Sequence, residues 1–593
     1  MKRFLTFDPL NLPSSQRLVE RSRHYHQGRQ NSTTGHSTAR SSSSNNNSSR
    51  RDDDDCDHGG GNTWNSGLRN RRCSSTLSSA SPLGHAKTNN EEGEVGDADN
   101  AKQQFQVRTK LGQTVHWSSH YHYSTEELEP HRQIGDEEMD QLLDLCAGEG
   151  LRGAGRFDDI VKLAAEAADA ISKPDKVALA SPACRALAEF HHRYSSPPPF
   201  VNWEQLQRGI DIFVAYAPAA GTSLYYRSLV GGFSIPKITQ VLFATRYLAP
   251  PSPPEKVKER LMDTGGFLAA CFAPVLDKKT TAAILPAASI RPGGQGWASA
   301  LRVRHLHARV RRSILESETL DWDTKEFGIP INQEDMSATV LAFSVNVLVG
   351  IEFIGGRPLS EADQNDYLAL WRYLSWLLGV EINDEDAVKQ NHLPSLDPCS
   401  GRKIGGSATV DLDPIAHSYS LLESIIFHLL NPNDVSKKVA SHLLDIGRNS
   451  KQERTQGKVK TSKTDKFPNG GLARRTFGFQ YRAFMCRRNL GEPLADALDL
   501  PCPPKFSLAY ALLICLSSMH LMLMRVYTLG TMHVPFLRKR IHRWHASGMA
   551  KFFAVWEREH NKRMRRANID ESSEDLKAEN GSSCPFALIM QPE

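Results

Sequence analysis

Apolar residues in most of this 593-residue chain recur every three or four positions, which is the spacing of an α-helix rather than of a strand. The pattern begins near residue 136, where it covers 137–145 and 158–171, and it returns at 203–213. Convincing strand alternation is absent. We therefore predict an all-α fold, a large helical bundle that spans about residues 126–545.

Two later helices are predicted by their first residues. Asn332 is followed by Gln333-Glu334-Asp335, a capping side chain with acids in the first turn, where the helix dipole favours negative charge. Ser360 precedes Glu361-Ala362-Asp363 in the manner of a capping box. Both residues are expected to be helix N-caps.

The two ends of the chain differ from this core. Residues 13–115 are dominated by Ser, Asn, Gly, Arg and Asp, so they cannot bury enough apolar area to offset their ordering entropy. We predict that residues 1–125 are disordered, with His116, His120 and His122 as loop residues; a metal site at these histidines is the less favoured alternative. Residues 546–593 are predicted to be a charged tail.

Composition narrows the classes of function. The net charge is only +5, from 72 Lys+Arg and 67 Asp+Glu, so no nucleic-acid partner is expected. Ten cysteines are scattered without zinc-like spacing, and reduced thiols are expected. The N-terminal residues lack the continuous apolar stretch of a cleaved secretory signal. The expected location is the cytoplasm or the surface of an internal membrane.

Two segments in the C-terminal part of the core are unusual. Residues 449–466 are polar and basic, which predicts a solvated surface loop; phosphate binding or nuclear import is the alternative. Residues 507–524 are apolar over about the length that spans a bilayer. Because this stretch contains Ser517, Ser518 and His520, a buried helix is the favoured interpretation and membrane association is the alternative.

Residues 297–315 form the most basic predicted helix, and an advance of about 100° per residue sorts its side chains into three sets. The first is an apolar stripe of Val303, Leu306, Val310 and Ile314. The second lies opposite, where water is expected to solvate it, and contains Arg302, His305, Arg309 and Arg312. The third lies at the edge of the stripe, with one arginine a turn away on each side of a histidine: Arg304, His307 and Arg311.

The third set needs an anionic partner, because buried arginines are costly without one. A haem would provide it, with His307 as axial ligand and the two arginines on the propionates. The alternative is that the arginines pair with acidic side chains elsewhere in the bundle. Zinc binding by His305 and His307 is less favoured, since residues two apart on a helix point away from each other. Spacing alone leaves these alternatives open.

The motif Arg304-x-x-His307-Ala308-x-x-Arg311 resembles the R-x-x-H-A-x-x-R signature of the latex-clearing-protein and MpaB-type oxygenases, the rubber oxygenase catalytic domain family. The resemblance covers about residues 200–505. Its upstream elements are Trp203, Arg208-Gly209, Ser228-Leu229, Phe233, Pro236 and the R-x-x-x-T element Arg260-Leu261-Met262-Asp263-Thr264. Its downstream elements are Gly328-Ile329-Pro330-Ile331-Asn332-Gln333-Glu334-Asp335, Trp371-Arg372, Leu378-Gly379-Val380 and Arg488-Asn489-Leu490-Gly491 through Leu500-Pro501.

The resemblance implies an all-helical domain with a globin-like core that holds haem b. It implies His307 as the proximal iron ligand, with Arg304 and Arg311 supporting its helix and the charged edge of the porphyrin. Arg260 and Thr264 would form the distal wall. Characterised relatives cleave the C=C bonds of isoprenoid chains with O2, so a hydrophobic polyisoprenoid substrate is expected.

The chain departs from some bacterial relatives at Asp263, where they carry a lysine that can cap the iron. A carboxylate cannot act as that neutral amine ligand. Asp263 is a candidate catalytic base, but an ion pair with Arg260 is the favoured interpretation.

Three functions therefore remain open, of which a haem-dependent oxygenase is favoured. The second is a non-catalytic relative that binds haem or another hydrophobic ligand. The third is a basic interaction protein that binds phosphates through the arginine-rich helix and the 449–466 loop. It is the least favoured, because only about half of the arginines in that helix, three of five, are predicted to face outward.

Overall fold

The computed structural model describes a set of ranges separated by short gaps: residues 104–108, 111, 114–149, 159–172, 180–246, 248–249, 252–274, 285–380, 396–397, 399, 402–405, 408–411, 413–446 and 476–575. The predicted disorder of residues 1–103 and the predicted basic loop at 449–466 lie outside these ranges.

Helices make up most of the described chain and confirm the all-α prediction. The first half contains α1 (Thr125–Leu128), α2 (Glu137–Gly148), α3 (Asp159–Ala170), α4 (Pro182–Ser195), α5 (Trp203–Ala215), α6 (Ala217–Ser223), α7 (Val230–Gly232), α8 (Pro236–Ala244), α9 (Pro254–Phe272) and α10 (Gln295–Leu315). Single turns of 3₁₀ or π helix lie at Glu129–Gln133, Leu224–Leu229 and Ala288–Ile290.

The second half continues the same architecture. It contains α11 (Thr324–Phe327), α12 (Gln333–Phe343), α13 (Val345–Gly355), α14 (Glu361–Leu377), α15 (Pro414–Leu429), α16 (Asp434–Leu444), α17 (Phe477–Leu490), α18 (Glu492–Ala497), α19 (Leu508–His533) and α20 (Pro535–Asp575). The predicted caps are confirmed, because Asn332 accepts the backbone N–H of Asp335 and Ser360 accepts that of Asp363.

Two small antiparallel hairpins were not expected from the sequence. Strand β1 (Gln104–Arg108) pairs with β2 (Thr114–Ser118), and β3 (Arg402–Gly405) pairs with β4 (Ala408–Asp411). Strands of four or five residues are too short for their alternation to stand out from neighbouring sequence.

The first hairpin leads directly into the core, so the expected disorder up to residue 125 is wrong over its last part. Trp117 is buried and stacks on His122, with ring centroids 4.6 Å apart. His122 lies in a bend, as predicted, but is buried, with Nε2 2.6 Å from Oε2 of Glu423, whereas His116 lies in strand β2 and not in a loop. Aromatic burial outweighs the polar composition of the preceding sequence.

The centre of the bundle is held by close approach of α5 to α14. A Cβ added to Gly209 would lie 2.5 Å from the backbone oxygen of Asp366, so a glycine is needed where the helices meet. Next to it, Arg208 forms a two-pronged ion pair with Asp366 at 2.7 and 2.9 Å. Trp371 and Tyr373 of α14 are fully buried beneath this contact.

The predicted C-terminal tail begins inside helix α20, which packs against α5 and α9. His545 Nδ1 bonds to the carbonyl of Val214 at 2.8 Å, and Trp556 covers Gly266. Residues 546–563 are therefore part of the folded bundle. The prediction followed the high charge of the segment and overlooked the aromatic side chains that attach it to the bundle.

Candidate functional site

Helix α10 is surrounded by helices α2, α3, α9 and α14. The turn before it uses Gly293 at a φ of +80°, a backbone conformation that favours glycine. Its 21 residues carry the basic motif into the interior instead of presenting it to water.

Arg304 forms a buried ion pair at the start of α2. Its Nε and Nη2 atoms each lie 2.6 Å from an oxygen of Asp136, and Nη2 lies 2.9 Å from Glu138. The guanidinium also lies over the ring of Tyr194, 4.9 Å from its centroid. Burial disfavours the charge of Arg304, but the carboxylate of Asp136 outweighs burial and raises the arginine pKa further.

Arg311 lies about two turns further along α10 and is also bound by protein groups. Its Nη1 lies 2.6 Å from Asp140, and its Nε and Nη2 donate to the carbonyls of Pro330 and Ile331 at 3.1 and 2.9 Å. Both arginine forks are thus engaged by the protein. The sequence-based assignment of these arginines to haem propionates is not supported, and the alternative, pairing with acids of the bundle, is what the structure shows.

The acidic partners form a ladder along α2 that the sequence analysis missed. Arg312 forms a third ion pair, with Nη2 3.0 Å from Asp144. Asp136, Asp140 and Asp144 thus pair in order with three arginines of α10: Arg304, Arg311 and Arg312. Because the residue numbers of the aspartates and of their arginine partners increase in the same direction, α2 and α10 run parallel. The available signal was the four-residue spacing of the three aspartates, which places them on one helix face.

The other sequence motifs converge on the same ion pair. Gly379 has a φ of +80°, and an added Cβ would lie 2.5 Å from Nε of Arg304. Gln333 donates through Nε2 to the carbonyls of Gly135 and Gly379 at 2.9 and 3.1 Å. These motifs therefore fix the relative positions of α2, α10, α12 and α14.

His307 is the exception within the motif. Its Nδ1 atom is buried and has no hydrogen-bond partner among the described residues. Burial, assisted by the positive charges of Arg311 and Arg260, lowers its pKa from 6.5 to about 4. The imidazole is therefore neutral at physiological pH, which is the form that binds metal.

The apolar stripe and the supposedly solvated side of α10 differ from prediction. His305, expected in water, is 0% exposed. In the apolar stripe Ile314 is buried, whereas Val303, Leu306 and Val310 are partly exposed, as is His307. The prediction was wrong because the deepest face is the one that carries the paired arginines, and polarity alone cannot identify a buried ion pair.

Helix α9 brings two predicted distal residues beside α10. Arg260 and Thr264 are both partly exposed, and the hydroxyl of Thr264 donates to the carbonyl of Arg260 at 3.2 Å. Arg260 lies close enough to His307 for its charge to lower the histidine pKa. Phe267, one turn further, is partly exposed on the same helix.

Asp263 faces away from this group. Its Oδ1 accepts from Nε1 of Trp556 at 3.0 Å and from Nη2 of Arg563 at 2.7 Å, both on α20. The favoured ion pair with Arg260 is thus replaced by one with Arg563. We remove Asp263 from the candidate catalytic residues, since it attaches α20 to α9.

Residues 255–518 match the family model described as ER-bound oxygenase mpaB/B'/Rubber oxygenase, catalytic domain. The matched range includes Arg260, Thr264, the motif from Arg304 to Arg311 and the elements at Gly328, Gly379 and Asn489. This part of the chain is similar to the catalytic domain of the MpaB and rubber-oxygenase family.

Similarity outside the family model is weaker. A solved structure, titled Structure of Latex Clearing Protein LCP in the closed state, is 17% identical, with 72% of this chain and 95% of that chain covered and a TM-score of 0.41. Among curated proteins, none matches the chain. The upstream elements from Trp203 to Pro236 lie outside the matched range of the family domain.

We expect the Arg304 ion pair to hold the family domain together. Replacement of Arg304 by Met leaves Asp136 buried and uncompensated, which should lower the free energy of unfolding by about 3–5 kcal/mol. The control is Arg312→Met on the same helix, where partly exposed ion pairs should contribute less than about 1 kcal/mol. Urea denaturation measures both, and equal losses would contradict the dominant role of the buried pair between Arg304 and Asp136.

The pKa of His307 predicts a pH dependence of stability in the haem-free protein. The folded protein takes up this proton only near pH 4, whereas the unfolded chain takes it up near 6.5. Stability should therefore fall as the pH is lowered through this window, by at most about 3 kcal/mol. In His307→Gln that contribution should vanish, and an unchanged slope in urea titrations between pH 7 and pH 4 would contradict it.

Proposed function

We propose that this protein is a haem b-dependent oxygenase that cleaves or oxidises a C=C bond of a hydrophobic, isoprenoid-like substrate with O2. The observation that carries the proposal is the unpaired Nδ1 of His307. In the motif R-x-x-H-A-x-x-R both arginines are bound by protein groups, whereas the partly exposed histidine is neutral and its buried Nδ1 has no hydrogen-bond partner among the described residues.

The residues around His307 fit a haem. A porphyrin supplies four nitrogens, so one neutral imidazole is sufficient as the protein ligand. The partly exposed Val303, Leu306 and Val310 adjoin the histidine and offer an apolar surface to a macrocycle. The described residues contain no group of three or more His, Cys, Asp or Glu suited to a metal ion, and a single axial histidine does not require one.

Arg304 and Arg311 are positioning residues in this proposal. Because their nitrogens bind Asp136, Asp140 and two carbonyls, they fix the rotation of α10 about its axis. That rotation determines where the imidazole of His307 points. A ligand held at such a fixed angle needs no reorganisation when the cofactor binds.

When bound, haem supplies the activation of O2, and the protein supplies orientation and a water-poor surface. Arg260 carries a positive charge beside the site and would stabilise negative charge that develops on an oxygen reactant. The hydroxyl of Thr264 donates to the Arg260 carbonyl and retains acceptor capacity. Phe267 extends the same helix face with an apolar ring.

The substrate class comes from the family. That family includes rubber oxygenase, and rubber is a polyisoprenoid. A polyisoprenoid carries no charge, which agrees with the partly exposed apolar side chains of Leu306, Val310 and Phe267. Electron-rich double bonds and O2 are the two reactants that such a site would bring together.

A non-catalytic relative that binds haem or another hydrophobic ligand is the second candidate. The observation that favours it concerns Asp263, which stands where some relatives carry the distal lysine. Its carboxylate is bound to Arg563, which argues against a catalytic role for that position. The basic interaction protein is disfavoured, because Arg304 and Arg311 are buried and paired with aspartates.

Haem binding is tested by absorption spectroscopy of the purified chain before and after reconstitution. Wild type should show a Soret band, and His307→Ala should lose or displace it because the iron loses its axial ligand. His305→Gln is the matched control, two positions away on the same helix, and should keep the band. Circular dichroism verifies that both variants fold; a Soret band that depends on His305 instead would contradict the proposal.

Oxygenase activity is tested by O2 uptake with polyisoprene, together with detection of carbonyl ends in the product. Arg260→Met should lower the rate about 100-fold, the typical effect of removing one charge-stabilising donor. Asp263→Asn on the same helix should keep most of the activity, since its side chain faces α20. A haem-loaded wild type that consumes no O2 with short or long polyisoprenoids would favour the binding protein.

A further inference from the structure

Helix α19 (Leu508–His533) exposes most of its large apolar side chains. Six of them lie along one face, at spacings of three, four or seven residues, and are 47–86% exposed; we call them the outer stripe: Leu508, Leu512, Met519, Met522, Leu523 and Val526. The opposite side faces the bundle and buries two leucines together with three hydroxyl groups: Leu513, Leu521, Ser517, Thr528 and Thr531. Arg488 of α17 donates to Ser517 at 3.0 Å. A surface helix in water would instead turn its apolar stripe toward the bundle and its hydroxyl groups toward the solvent.

The expectation that residues 507–524 form a buried helix is therefore wrong. Only 17% of the most apolar 18-residue window of α19 is buried in the described structure, against 67% for the comparable window of Gln333–Gly355. Scattered apolar residues are normal on protein surfaces, but six exposed ones on one face between residues 508 and 526 of a single helix mark an interaction surface.

The sequence around the outer stripe is adapted to an anionic surface. Residues 500–556 contain no Asp or Glu but seven Lys and Arg. In the first turns of α20, directly after α19, exposed Phe536 and Trp544 are interspersed with exposed Lys539, Arg540 and Arg543. At its N-terminal end Phe506 is fully exposed beside Lys505. Aromatic and basic residues at both ends of an apolar segment are characteristic of a lipid–water interface.

We propose that the outer stripe docks the protein onto an anionic lipid bilayer, with α19 lying in the plane of the interface. The stripe would enter the acyl region, and Lys539, Arg540 and Arg543 would meet lipid phosphates. The helix cannot be surrounded by lipid, because its inner side packs against α13 and α17 and its buried hydroxyl groups face the protein. Docking on one side, rather than spanning, is the arrangement that keeps those contacts.

A groove lies beside the outer stripe and shares two residues with it. It has a volume of about 410 Å³ and lies between α17 and α19, with Phe477, Tyr481, Met519 and Leu523 among its lining residues. Its one close polar pair, Tyr481 Oη and His520 Nδ1 at 2.9 Å, is satisfied internally. Because Met519 and Leu523 belong to both the groove and the outer stripe, the groove opens onto the proposed membrane face and can accept an acyl chain.

The test is flotation of the full-length chain with phosphatidylcholine vesicles, with and without about 30% phosphatidylserine. Wild type should float with the anionic vesicles. The variant Leu512→Gln/Met522→Gln/Val526→Gln should bind at least about tenfold more weakly, because the stripe loses its apolar area. The matched control, Leu145→Gln/Phe243→Gln/Leu285→Gln, replaces exposed apolar residues on other elements and should bind like wild type.

The basic residues are tested separately. Lys539→Gln/Arg540→Gln/Arg543→Gln should weaken binding to anionic vesicles and reduce its dependence on salt, while residual binding to neutral vesicles stays the same. Circular dichroism verifies the fold of every variant, and none of these measurements depends on haem or on activity.

Three results would overturn the proposal. The first is wild type that does not float, or an outer-stripe variant that floats like wild type. The second is a wild-type dimer that the outer-stripe variant dissociates in light scattering without vesicle binding, which would make the stripe an interface between two copies. The third is retention in carbonate-washed membranes, which would indicate a spanning helix.

Discussion

The buried ion pair between Arg304 and Asp136 is the interaction on which the arrangement of the domain depends. Two ionised groups with so little exposure are tolerated only when geometry and hydrogen bonding are nearly complete. Three elements besides α10 help to complete them: α2 supplies Asp136 at its N-cap, Gly379 leaves room at the end of α14, and Gln333 of α12 bonds to the adjoining backbone. Loss of either Arg304 or Asp136 would leave the charge of the other uncompensated in the core.

This constraint explains how one helix serves two purposes. The arginines of α10 are committed to the scaffold through the α2 ladder, and that commitment fixes the helix in rotation and in register. His307 lies between Arg304 and Arg311 in sequence but takes no part in their bonds. A neutral, unpaired imidazole is costly as a structural element, because a buried polar atom without a partner loses hydration with no return. A ligand that binds the imidazole would offset this cost.

Much of the scaffold could be predicted from the sequence, because caps and periodicity are local. Asn332 and Ser360 act as caps as their neighbours indicate, and the family motifs occur in order. What could not be predicted depends on partners distant in sequence. The burial of His305 follows from where α10 packs. Asp263 pairs with Arg563, 300 residues away, because α20 folds back onto α9. The exposure of the α19 stripe is equally nonlocal, since apolar composition is shared by core helices and membrane-facing ones.

The central claim is that the imidazole at position 307 is the iron ligand, and chemical rescue tests it most directly. His307→Gly, reconstituted with haem, leaves a space that free imidazole can fill. The account predicts that the variant loses the wild-type absorption spectrum and regains it when imidazole is added. A His307→Gly protein whose spectrum equals that of wild type without imidazole would contradict it.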